Sequence, residues 1–86
     1  MSAPTKDLCI IQLTETSTVG EVKRRVLNAF VEGIYCFQFR LTWHKRKFEE
    51  RVALPADADE ACALEMAEEY FGIFCATVAR LAMKTL

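Results

Sequence analysis

Tyr35-Cys36-Phe37-Gln38-Phe39-Arg40-Leu41-Thr42-Trp43 places a large apolar side chain at every second position. Successive side chains of a strand point to opposite faces. This spacing therefore predicts a strand with Tyr35, Phe37, Phe39, Leu41 and Trp43 on one buried face. A charged turn, His44-Lys45-Arg46-Lys47, follows it. Beyond the turn, Phe48, Val52 and Leu54 set against Glu49, Arg51 and Ala53 read as a second, shorter strand closed by Pro55. The two strands are expected to pair as a hairpin. A sheet with so apolar a face needs a cover, and the flanking segments must supply it.

Upstream, Thr18 with Glu21 three residues on has the form of a capping box, which marks a helix start. Val19, Val22, Val26 and Phe30 recur at helical spacing, and Gly33 stands where the helix should stop. Before it, Leu8-Cys9-Ile10-Ile11-Gln12-Leu13 is a short apolar run of the kind shown by a strand covered on both faces. Downstream, Asp57 and Asp59 offer N-caps to a second helix with Ala61, Leu64, Ala67 and Phe71 on one face. After Gly72 two readings stand. Residues 73–81 form a closing strand, or they continue the helix, because Phe71, Phe74, Val78 and Leu81 keep its period. The fold class is α+β in either case. The first reading gives the order β-α-β-β-α-β, and the second gives β-α-β-β-α with one long C-terminal helix. One domain over residues 8–82 is expected, with residues 1–7 a flexible N-terminus and 83–86 a C-terminal tail.

The chain has 86 residues, 52% of them hydrophobic and 27% charged, a globular composition. Eleven basic and twelve acidic residues leave a net charge of −1, so no global field draws it to nucleic acid or to an acidic membrane. No leader or membrane-length apolar run is visible. The four cysteines, Cys9, Cys36, Cys62 and Cys75, sit in apolar or periodic segments, where a free thiol behaves as a small hydrophobe. Reduced core cysteines and an intracellular, cytoplasmic location are the expectation. There is no CxxC pair, and His44 is the sole histidine, so no metal site is expected. A His44–cysteine nucleophile pair lacks any accompanying constellation. With no Gly-rich phosphate loop either, catalysis, a cofactor and a small-molecule substrate are not expected.

Two stretches carry a family resemblance. Phe39-Arg40-Leu41-Thr42-Trp43, the charged turn, Val52-Ala53-Leu54, then Asp57-Ala58-Asp59-Glu60 leading into Ala63-Leu64-Glu65-Met66-Ala67, resembles the second half of the Phox and Bem homology domains. Ile11-Gln12-Leu13 through Ser17-Thr18-Val19-Gly20-Glu21-Val22-Lys23 resembles the second strand and first helix of ubiquitin-like domains, including those of tubulin-folding cofactors. The resemblance implies a β-grasp that lacks its first strand, and a module that binds other proteins head to tail. The chain departs from the family at its basic turn, where the family carries acids, and in having no room for a first hairpin.

Three groups of residues are candidate contacts. Arg40, Lys45, Arg46, Lys47 and Arg51 form a basic patch, and Asp57, Asp59 and Glu60 an acidic one. Complementary patches of this kind orient an encounter between proteins. Leu8, Ile10 and Ile11 lie on a strand expected beside the closing strand, in mid-sheet, with its other side an open edge. The expected function is a non-catalytic protein-interaction module that self-associates, as a homodimer, or binds a protein partner. The alternative is a small nucleic-acid-binding domain in which the basic hairpin around Trp43 to Phe48 grips phosphates.

Overall fold

A computed structural model describes residues 7–84. Its elements are β1 (Leu8–Leu13), α1 (Val19–Val31), β2 (Cys36–Trp43), β3 (Arg46–Ala53) and α2 (Glu60–Lys84). The fold is α+β, with a three-stranded mixed sheet in the order β1-β2-β3. β1 runs parallel to β2, Leu8 beside Cys36 and Leu13 beside Leu41, and β3 runs antiparallel to β2. Both helices lie over one face of the sheet, packed along each other, and Lys23 of α1 forms an ion pair with Glu68 of α2.

The alternating stretch behaves as its spacing requires. Phe37, Phe39, Leu41 and Trp43 are buried, and Cys9, Ile11 and Leu13 of β1 face the same way. Val22 and Val26 of α1 close the core with Ala63, Met66, Ala67 and Phe74 of α2. Ala63 and Ala67 are small enough to bring α2 close to the aromatic strand, and the rings of Phe39 and Tyr70 stack with centroids 5.1 Å apart. Tyr35 precedes β2 rather than belonging to it, and its ring packs on Phe30.

Local signals set the element ends. Thr18 Oγ1 accepts the Glu21 N–H at 3.2 Å, while the Thr18 N–H donates to Glu21 Oε1 at 3.1 Å, a complete capping box. α1 ends in a Schellman motif, in which the Gly33 N–H reaches the Phe30 carbonyl and the Ile34 N–H the Ala29 carbonyl. Gly33 has φ +94°, the left-handed conformation that glycine adopts without a Cβ clash. The hairpin turn is tighter than expected. His44 and Lys45 alone make it, both with positive φ as in a two-residue type I′ turn, and Arg46 and Lys47 already belong to β3.

Three expectations are corrected. No closing strand exists among the described residues, because α2 runs without a break through residues 73–81. Gly72 costs a helix interior about 1 kcal/mol relative to alanine. That cost is outweighed by the burial of Phe74, with Phe71, Val78 and Leu81 packed half-buried beside it at helical spacing. Thr77 Oγ1 also bonds back to the Ile73 carbonyl, so its hydroxyl is satisfied inside the helix. Met83 and Lys84, expected in a tail, close the last turn of α2. With the closing strand gone, β1 pairs directly with β2 and lies at the rim of the sheet rather than in mid-sheet. The remainder of the expected tails, residues 1–6 and 85–86, lies outside the described residues.

Phe39 lies at the centre of this arrangement, fully buried beneath Tyr70. Phe39→Ala is expected to cost about 3–5 kcal/mol, read as a loss of the cooperative thermal transition. Melting within a degree or two of the parent is the contrary result.

Candidate interaction surface

The helices cover one face of the sheet and leave the other bare. Cross-strand register sets that outer face in rows. Leu8, Cys36 and Ala53 make an apolar row at one end. Ile10, Gln38 and Arg51 come next, then Gln12, Arg40 and Glu49, and Thr42 beside Lys47 ends the face near the hairpin. The face thus grades from apolar to charged. Its polar half is self-satisfied. Arg40 Nε donates to Glu49 Oε2 at 2.9 Å, and Arg51 Nη2 donates to Gln38 Oε1 at 3.1 Å. Gln12 Nε2 donates to the Arg40 carbonyl at 3.3 Å. Gln38 is consequently only 8% exposed without an unmet hydrogen bond.

The apolar end is not satisfied in this way. Leu8 is 37% exposed and Ile10 42%, and a shallow hollow opens beside Leu8 between Cys36, Arg51, Val52 and Ala53. Among the described residues no strand lies on the far side of β1. Among those residues the one partner of its outward backbone lies near its C-terminal end, where Arg25 Nη1 donates to the Gln12 carbonyl at 3.1 Å. That arginine blocks one end of the edge, and the stretch from Leu8 to Ile11 stays open.

The third edge residue is corrected. Ile11 is fully buried, because β1 is covered on one face only and strict alternation turns Ile11 inward between Leu13 and Cys9. Ile11 anchors the edge strand from within, and Leu8 and Ile10 are what a partner would touch.

The basic residues do not share one face. Lys45 is at the turn, Lys47 faces outward, and Arg40 and Arg51 are held by Glu49 and Gln38. Arg46 turns to the helix side, where it shares a hollow with Trp43, His44, Leu81 and Lys84. Lys84 thereby joins the hairpin end, a placement visible in the sequence only on the long-helix reading. The acidic residues lie at the opposite end of the molecule. Asp59 is the N-cap of α2, its Oδ1 accepting the Cys62 N–H at 3.0 Å, and Asp57 and Glu60 flank it in solvent.

The cysteines are free, and of the four only Cys9 packs against the core. Cys9 and Cys36 are half-buried, on opposite faces of the sheet, and Cys62 and Cys75 are exposed on α2. Burial pushes the Cys9 thiol up from its ordinary pKa, partly offset by the neighbouring Arg25 guanidinium. Among the described residues no cluster of three or more His, Cys, Asp or Glu side chains is placed to hold a metal ion, and no helix is long and apolar enough to cross a membrane. No known protein family, curated protein or solved structure matches the chain.

Two measurements check these environments. Alkylation of the native protein is expected to modify Cys62 and Cys75 first and Cys9 last, since the thiolate is the reactive form. Equal rates at all four positions would contradict the placement. At Asp59 the Cys62 N–H holds the carboxyl below its usual range. A depressed acid contributes stability above its unfolded pKa and loses it as pH falls through the folded one. Asp59→Ala should therefore lower the melting temperature at neutral pH, with the gap to the parent closing as the pH falls below about 4. A gap of constant size would assign the loss to something other than the charged cap.

Proposed function

We propose that the chain is a non-catalytic protein-interaction module, and that it takes an extended segment of a partner protein along the open edge of β1. The free stretch from Leu8 to Ile11 carries this reading. Unpaired backbone groups on a sheet edge provide a ready template for one more strand. The adjoining row of Leu8, Cys36 and Ala53 offers apolar contact to alternate side chains of that strand. Arg25 limits the register by occupying the Gln12 carbonyl. The basic hairpin end and the acidic start of α2, at opposite ends of the molecule, add direction to the encounter. The likeness to Phox and Bem homology and other ubiquitin-like modules supports a docking role. It rests on β2, β3 and the first half of α2 for the former and on the stretch from Ile11 to Lys23 for the latter, and a β-grasp is proposed only in that looser sense.

The nucleic-acid alternative draws less support. Two of its five cations are already engaged with Glu49 and Gln38, and Arg46 faces away from Lys47.

Selection of a library of extended peptides against the chain tests the proposal. Binders are expected to shift the backbone amide resonances of residues 8–12, and Ile10→Lys is expected to weaken them at least about tenfold by setting a charge against the apolar row. Two outcomes count against the edge: peptides that bind elsewhere and ignore Ile10→Lys, or no peptide binders together with salt-sensitive DNA or RNA binding at the hairpin.

A further inference from the structure

Among the described residues the outward side of α2 is a second uncovered surface, separate from the β1 edge. A helix on the surface of a small domain ordinarily turns charged side chains to water. From Tyr70 to Met83, however, α2 has a single charge, Arg80. Ile73 is 42% exposed and Met83 74% exposed, with Ala76 and Ala79 also in solvent. Gly72 sits on this same face. A Cβ at Gly72 would meet nothing within 4 Å, so no contact among the described residues calls for glycine there. It still costs the helix about 1 kcal/mol.

The charges that bound this apolar stretch are arranged unfavourably for an isolated helix. Glu65 and Glu69 are like charges at i, i+4, and so are Arg80 and Lys84. All four are exposed, and none has an ion-pair partner among the described residues. The helix dipole does not account for the glutamates, because its influence fades after the first turn and both lie beyond it. Their positions carry a symmetry instead. Glu69 and Arg80 stand equally far on either side of the peptide bond between Phe74 and Cys75, and so do Glu65 and Lys84.

We infer that α2 is a self-association surface on which a second copy of this chain lays its own α2 antiparallel, about a two-fold axis passing beside Phe74 and Cys75. In that pairing Glu69 of each copy meets Arg80 of the other, and Glu65 meets Lys84. Each unfavourable like-charge pair becomes part of an attractive set of four. Ile73 packs against Ala76 of the other copy, and Gly72 allows the helix axes the closer end of the usual 8–10 Å separation. A surface that is self-complementary about a two-fold closes as a dimer and goes no further. The interface is one helix wide, which puts it among the weak, reversible associations.

Charge reversal tests it, with sedimentation velocity across a wide concentration range as the readout. The parent chain is expected to shift from monomer to dimer. Glu69→Arg alone and Arg80→Glu alone should each weaken the dimer at least about tenfold, and the double variant Glu69→Arg with Arg80→Glu should restore it. Each single change removes a like-charge i, i+4 pair within the helix, so the fold should hold, and unchanged melting temperatures confirm that loss of dimer is not unfolding. The inference is overturned by a parent that stays monomeric at high micromolar concentration, by a dimer indifferent to both single changes, or by a double variant that fails to recover. It is equally overturned by a dimer lost on Ile10→Lys but retained in Glu69→Arg. That last result would leave the β1 edge standing as an interface and remove α2.

Discussion

Burial of the aromatic face of β2 is the interaction on which everything else in this domain rests. Phe37, Phe39, Leu41 and Trp43 present more apolar surface than a single helix can cover, and α1 and α2 must lie side by side to enclose it. Both helices are then spent on one side of the sheet. Among the described residues there is no third helix for the outer face, so that face must satisfy itself. It does so over its charged half through Arg40 with Glu49 and Arg51 with Gln38, and it remains apolar around Leu8 and Ile10. The open surface is a direct result of how the core is closed.

Signals contained within a few residues are legible in the sequence alone. The hairpin follows from period-two alternation, the start of α1 from Thr18 and Glu21, and its end from Gly33. Residues 73–81 are not decidable locally. An apolar run after a glycine suits a strand and a helix alike, and the choice falls to the helical spacing of Phe71, Phe74, Val78 and Leu81 over a core assembled elsewhere. The neighbour of β1 is likewise hidden, because it depends on whether that last segment becomes a strand. Ile11 shows the same limit at one residue. An unbroken apolar run does not say which of its faces is covered, and only pairing with β2 turns Ile11 inward and Ile10 outward.

Charge reads differently in three dimensions than along the chain. The cluster Arg40, Lys45, Arg46, Lys47 and Arg51 looks like one patch because a hairpin brings its members close in sequence. Pleating sends Arg46 to the helix side, where it shares a hollow with Lys84, cross-strand partners neutralise Arg40 and engage Arg51, and Lys45 and Lys47 are left at the turn and on the outer face. The acidic residues at the start of α2 are partly capping chemistry, since Asp59 is tied to the Cys62 amide. Linear charge runs therefore overstate the fields that a partner would meet.

The parallel placement of β1 has a consequence for how the domain assembles. β2, β3 and the start of α2 follow one another with short connections, so their contacts close small loops. Each residue of β1, by contrast, pairs with one 28 positions away across the α1 crossover. Loop-closure entropy makes such a pairing the slow step in a small domain. Until β1 docks, the inner edge of β2 and the aromatic face beside it are exposed. A second chain's β1, carrying the same Cys9, Ile11 and Leu13, fits that vacancy as well as the chain's own. Strand exchange at high concentration, rather than disordered aggregation, is the failure to which this topology is most prone.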